Sequence, residues 1–336
     1  MSDSAIKKAE NKKVEKNKAI GVAVAVLIVS SVAIFVVLTP NPNTVRIGYL
    51  SQDLHQLALK VAQSKGWFTE EGINVELLQY QNGAYEMNGF GGGQIQMGYL
   101  GAAPAMVVGI NQEIAITILA AVNLEGSAIT VKKSAYENGD VTEIGDLAGK
   151  TVYHPGPSTV QNFLLRLALN SSDLTINDID PQVKRVQDMA ISLSEDAPAF
   201  IAWEPFPAQS DYENTTTPLM LSGEIWPNHP CCVVAAANDY LENNPDIVQK
   251  VISVHKRAEE WIVQHPTEAL QIAIDWLGID EGAVELAFSR IIYDYNLNRT
   301  GLRMYLDFLI HQELVDIDTP EQFLDGFINM TFIENA

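Results

Sequence analysis

Ile95, Met97 and Tyr99 alternate with small or polar neighbours, the period of a strand, and the run then breaks at Gly101-Ala102-Ala103-Pro104. Small residues let the backbone approach a neighbour closely. Pro104 suits the first turn of a helix, where a missing N–H costs nothing. A strand that turns directly into a helix is a unit of α/β architecture, and ligands sit at such turns. A second turn of this kind is Trp203-Glu204-Pro205-Phe206-Pro207. It ends the apolar run Phe200-Ile201-Ala202 with an aromatic, an acid and two prolines, which is a rigid corner. Both places read as walls of a cleft.

Between and beyond them, strand and helix signals alternate. A strand at 45–49 precedes a helix over 54–65, with apolar residues at 54, 57, 58 and 61 and Gly66 as its stop. A strand at 74–78 follows. The stretch 85–93 reads as a short or frayed helix because Gly89, Gly91, Gly92 and Gly93 disfavour it. Residues 114–122 are an apolar strand, and Asn123-Leu124-Glu125-Gly126-Ser127 reads as a turn. A strand over 151–154 opens on Gly156-Pro157-Ser158-Thr159 and a helix to 170. Strands are expected at 183–186 and 201–203. Helices dominate after Asn244-Pro245-Asp246, over 245–264, 265–277, 281–293 and 301–313. The alternation predicts an α/β protein with two mainly parallel sheets and flanking helices.

The order of these pieces resembles the nitrate/sulfonate/taurine-type solute-binding proteins of ABC importers, which share their fold with thiamine-pyrimidine-precursor binders. The likeness covers roughly residues 44–310. It rests on Val45-Arg46-Ile47-Gly48-Tyr49, on Gly66-Trp67-Phe68-Thr69-Glu70-Glu71-Gly72-Ile73, and on the turn from Leu100 to Ala105. Asp146-Leu147-Ala148-Gly149-Lys150-Thr151-Val152 and the Trp-Glu-Pro-Phe corner complete it. Gln96 stands where the family has an acid, and Ser194-Glu195-Asp196-Ala197-Pro198-Ala199 replaces its Gly-x-x-Asp-Ala approach. The resemblance implies a two-lobed, periplasmic-binding-protein-like fold of type II with a ligand cleft between the lobes. Lobe 1 would comprise 44–127 and 225–336, and lobe 2 would comprise 128–224. It also implies a small-molecule ligand, permease and ATPase partners, and a monomer.

The N-terminus adds a location. Residues 1–18 carry six lysines against Asp3, Glu10 and Glu15, and 19–38 hold no charge. At ~1.5 Å per helical residue such a stretch spans ~30 Å, a bilayer core. Val36-Val37-Leu38 offers no small-x-small cleavage site, and no cysteine follows for a lipid anchor. An uncleaved transmembrane anchor is therefore expected, with the lysines inside and the body outside the cell. Thr39-Pro40-Asn41-Pro42-Asn43 (39–43) is a stiff linker. Setting the tail aside leaves 15 basic and 39 acidic residues, which argues against a nucleic-acid partner.

Candidate ligand residues fall on the cleft turns. Three helix N-termini are expected there, following Ser51-Gln52-Asp53, Gly101-Ala102-Ala103 and Pro157-Ser158, with free N–H groups for a polar or anionic ligand. His55, Asn123, Glu125, His154, Thr159, Trp203, Glu204, His229 and Cys231 lie on neighbouring turns. Acids at 53, 125 and 204 favour a ligand with an amino group, since Arg46 and Arg166 sit within a strand and a helix. Cys231 and Cys232 are the chain's two cysteines. Neighbours on a strand point to opposite faces, and no Cys-x-x-Cys or His-x-x-His spacing occurs, so no metal site or cofactor is expected.

Catalytic templates fail. Gly156-Pro157-Ser158-Thr159-Val160 lacks the second glycine of a nucleophile elbow, and the Gly89–Gly93 stretch lacks the Walker lysine. The reading is a binding protein, not an enzyme. The alternatives are an enzyme on the same fold related to thiamine-pyrimidine synthesis, and a sensory ectodomain.

Overall fold

A computed structural model describes residues 44–336; the expected membrane segment at 19–38, its basic tail and the linker lie outside the described residues. Among the described residues no helix is long and apolar enough to cross a membrane.

The described strands are β1 (Thr44–Leu50), β2 (Asn74–Tyr80), β3 (Met97–Gly101), β4 (Ile116–Glu125), β5 (Ser127–Lys132) and β6 (Thr151–His154). They continue with β7 (Asp180–Val183), β8 (Ala199–Trp203), β9 (Thr216–Leu221), β10 (Pro230–Ala237) and β11 (Ile291–Tyr293). One sheet has the order β11-β4-β10-β3-β1-β2, the other β7-β6-β8-β5-β9. Residues 45–336 pack as one unit.

Both sheets are mixed, which corrects the mainly parallel expectation. β1–β3, β6–β7 and β6–β8 run parallel. β10 is antiparallel to both β3 and β4, β11 to β4, and β5 to both β8 and β9. The cause is the path between sheets. β4 leaves the first sheet and β5 enters the second with only Gly126 between them, and the chain bends there through positive φ at Glu125 and Gly126. The chain returns between Leu221 and Pro230, and β10 inserts between β3 and β4 against their direction.

Four other expectations change. The stretch 123–127 is no turn, because β4 stays paired with β10 and β11 as far as Leu124 and Glu125. The glycine-rich stretch forms a full helix, Gly83–Gly91, with Asn82 accepting from the N–H groups of Ala84 and Tyr85. Its Gly89 serves close packing, since a Cβ there would lie 2.3 Å from the Tyr80 hydroxyl. The strand expected at 183–186 is β7, an edge strand ending at Val183, and Val186 begins a short helix. The helix expected over 281–293 stops at Ser289, and β11 follows Arg290.

Helices Leu57–Lys65 and Pro245–Gln264 cover the first sheet, the former closed by Gly66 in the left-handed region. The helix Pro245–Gln264 brings a buried histidine to that sheet. His255 Nε2–H donates to the Ala121 carbonyl at 2.7 Å, and its ring meets Tyr99 edge-on. Nδ1 lies 4.0 Å from Glu259, too far for a hydrogen bond. Burial pushes His255 down to about 4, with the Ala121 bond opposing, and burial pushes the Glu259 carboxyl well up. Burial thus favours the neutral form of both groups.

A histidine held neutral contributes stability that is complete above its unfolded pKa of ~6.5 and lost as pH falls towards 4. The full term is of order 3 kcal/mol. Urea unfolding between pH 4 and 7.5 should show a steeper acid loss for the native chain than for His255→Gln. Parallel pH profiles would exclude His255 as the source.

Candidate functional site

A cavity of about 20 Å³ lies where the two sheets meet, room for about one water molecule. The first sheet and its turns supply Asp53, His55, Gly101, Cys231 and Cys232; the second supplies Thr159, Gln161 and Trp203. Each wall is built by local sequence. Asp53 caps the turn Leu54–Gln56 by accepting from the His55 N–H at 3.1 Å. Gln56 donates to the Tyr99 carbonyl at 2.7 Å and accepts from Leu50, tying that turn to β1 and β3. Thr159 caps the helix Val160–Ser171 by accepting from Asn162.

His55 is the centre. Its Nε2–H donates to the Gly126 carbonyl at 2.7 Å, and that carbonyl also accepts from the Glu204 N–H at 2.9 Å. Only glycine suits position 126: its φ is +82°, and a Cβ would fall 2.2 Å from His55 Nε2. Nδ1 of His55 then faces Asp53 Oδ1 at 3.3 Å, Cys231 Sγ at 3.6 Å and Cys232 Sγ at 3.7 Å.

The two thiols lie on the same side, 4.0 Å apart, against the expectation of opposite faces. The reason is a β-bulge. Pro230 opposes Leu124 and Cys232 opposes Asn123, so Cys231 is an extra residue on β10 and the side-chain alternation breaks there. Asn123 stabilises the irregularity by accepting from the Cys232 N–H at 3.2 Å.

Electrostatics follow from burial. The hydrogen bond between the two thiols and the charge of His55 hold the Cys231 thiol well below its usual range against burial. Cys232 is pushed well up by the same hydrogen bond and by burial. Burial would lower His55, but the Cys231 thiolate and Asp53 outweigh it and raise it to about 10. Asp53 is raised by burial to about 6, with His55 opposing. Within this buried cluster, His55 and Cys231 are thus shifted in opposite directions, the imidazole up and the thiol down, each by the other's charge.

Other expected site residues stand apart. Ser51 accepts from Gln79, and Gln52 is exposed. Ala102 and Ala103 are buried in the first turn of the helix Ala102–Asn111. Ser158 does not cap its helix and lies in an outer groove with Pro155, Gly156 and Pro157. His154 is buried against Asn162, at 3.3 Å, and burial lowers its pKa. His229 stacks on Trp226, and its Nε2 is buried without a partner. Glu125 accepts from the Asn228 N–H at 2.8 Å.

Glu204 is fully buried and does not line the cavity. Its Oε1 pairs with Arg290 Nη1 at 3.1 Å, and Oε2 accepts from the Ala208 N–H at 2.9 Å. Burial raises its pKa, and Arg290 opposes. Arg290 Nη2 also binds Asp211 at 2.6 Å. Sequence reasoning missed Arg290 because its position sits inside an expected helix. The acids argued to select an amino group thus reduce to Asp53 at the cavity. Sequence reasoning also missed Lys184 and Arg185, which line an outer groove of about 220 Å³ that shares Trp203 with the inner cavity.

Residues 38–278 match the NMT1-like family, and the chain belongs to that family. A Bacillus subtilis protein named for binding aliphatic sulfonates is 25% identical over 261 residues, covering 72% of each chain. The ligand-binding component of an ABC-type import system from Staphylococcus aureus, solved with zinc bound, superposes with a TM-score of 0.76. It is 16% identical and covers 88% of this chain and 99% of that one. The periplasmic nitrate-binding protein of Synechocystis gives a TM-score of 0.75 at 16% identity, covering 88% and 89%. These likenesses establish the two-sheet, periplasmic-binding-protein-like α/β fold.

The Arg290–Glu204 pair joins the segment before β11 to the corner after β8, and both partners are largely dry. Removing one partner strands the other charge, at a cost of about 3–5 kcal/mol. Arg290→Met should lower the urea midpoint strongly, and adding Glu204→Gln should recover part of the loss. An unchanged midpoint in Arg290→Met would show that the pair carries no stability.

Proposed function

We propose that this chain is the extracytoplasmic solute-binding receptor of an ABC importer, held to the membrane through residues 19–38. Its two lobes, 44–127 with 225–336 and 128–224, close on a small polar ligand and present it to a permease and its ATPase. The observation that carries this reading is the cavity whose walls come from both sheets, at a point where the chain crosses between them twice. A ligand touching both walls favours the closed arrangement by its differential affinity for it. Relatives and neighbours named for sulfonate and nitrate support the class.

The inner cavity takes an atom-sized group, so a larger ligand enters only when the lobes part. The groove with Lys184 and Arg185 offers a place for the remainder of an anionic ligand. Trp203 lines both spaces, and its buried Nε1–H has no partner, a donor for a ligand oxygen.

Nitrate, taurine and a short alkanesulfonate should therefore be titrated against intrinsic fluorescence. One of them should shift the emission, and Trp203→Phe should remove most of that shift while Trp67, Trp226, Trp261 and Trp276 remain. The same ligand should add ~2.7 kcal/mol of stability at a hundredfold excess over Kd. A shift that persists in Trp203→Phe places binding elsewhere.

A further inference from the structure

The nitrogen of His55 and the sulfurs of Cys231 and Cys232 form a triangle with sides of 3.6, 3.7 and 4.0 Å. The point equidistant from the three atoms is about 2.2 Å from each. Zinc–sulfur bonds measure ~2.3 Å and zinc–nitrogen bonds ~2.0–2.1 Å. All three residues are buried, and all three line the inner cavity. We propose that this triangle is a binding site for one thiophilic d¹⁰ cation, Zn²⁺ or Cu⁺, at the junction of the two sheets.

The surroundings favour such an ion. Metal-ligating histidines characteristically donate their second ring N–H to a carbonyl, which fixes the ring and aims the other nitrogen at the metal. His55 does this to Gly126 at 2.7 Å, leaving Nδ1 towards the sulfurs. Two thiolates neutralise a divalent ion without further charge, as a dry site requires. Mg²⁺ and Ca²⁺ demand six or more oxygen ligands, whereas the three converging atoms are two sulfurs and a nitrogen. Only the thiolates and an unprotonated Nδ1 can ligate, so any protons these three atoms carry are released to solvent on loading. The bound ion touches the first sheet's residues and faces Thr159 and Trp203 of the second. Its role as the ligand on which the lobes close rests on the receptor reading above; its binding does not.

The test uses the full-length chain in detergent, reduced and stripped with chelator. Co²⁺ should bind one ion per chain, with thiolate-to-cobalt charge-transfer absorption that Zn²⁺ then abolishes. Competition of Zn²⁺ against a chromophoric indicator, and of Cu⁺ against a cuprous chelator, decides which ion is held more tightly. Cys231→Ser and Cys232→Ser should each weaken binding by at least ~100-fold while far-ultraviolet dichroism stays native. His55→Gln also removes the Gly126 bond, so the serine variants decide the matter. An octahedral cobalt spectrum without charge transfer, or unchanged affinity in Cys232→Ser, overturns the proposal. If nitrate or taurine still shifts Trp203 emission in a chain that binds no ion, the cation site falls and the receptor stands. If the ion binds at the thiols and leaves Trp203 emission unchanged, the site stands and closure upon the ion falls.

Discussion

The bond from His55 to the Gly126 carbonyl is the constraint on which the centre of this molecule depends. Gly126 is the single residue between β4 and β5, so its carbonyl lies at the junction of the two sheets. That one oxygen accepts from His55 of the first sheet's turn and from the Glu204 N–H following β8 of the second. A side chain at 126 would collide with the imidazole and oppose the positive φ, so geometry and chemistry share one requirement. With Nε2 committed, Nδ1 faces the thiols and Asp53.

The second ingredient is the bulge in β10. A regular strand would hide one cysteine on the far face of the sheet. The extra residue at 231 brings both sulfurs to His55, and the Asn123 amide oxygen meets the Cys232 N–H that the irregularity would otherwise leave without a ladder partner. Bulges concentrate beside functional sites because they re-aim side chains at small energetic cost. Here the bulge converts an adjacent pair into a chelating pair without a loop. Ligand atoms carried on strands are held more firmly than on a surface turn.

Much of this was legible from the sequence, and the misses have definite causes. The strand-to-helix turn at Gly101-Ala102-Ala103-Pro104 and the corner at Trp203 are marked by glycine and proline, whose backbone preferences are local. His55, Asp53, Gly101, Thr159, Trp203 and Cys231 do line the cavity, because each sits at an element's end that faces the other sheet. Strand direction was misread because the return of β10 between β3 and β4 is a long-range event with no local mark. The cysteine pair was misread because a bulge depends on the partner strand's register, which a period of two cannot express. Arg290 was hidden for a similar reason: its helix ends one residue earlier, and its partners Glu204 and Asp211 are roughly 80 residues distant in sequence.

These long-range features also explain how solved structures only 16% identical share the fold. The double crossing and the apolar strands tolerate any side chains that fill the same space. Ligand choice has no such latitude, since it rests on the few side chains that reach the junction. In this chain those side chains are soft donors beside a carboxylate, flanked by an outer groove carrying Lys184 and Arg185. A body with many more acids than bases repels anions over its surface, and the basic groove offsets that repulsion locally. The inner triangle is different in kind: its sulfurs and nitrogen lie within bonding reach of one point, so it selects by coordination geometry rather than by field.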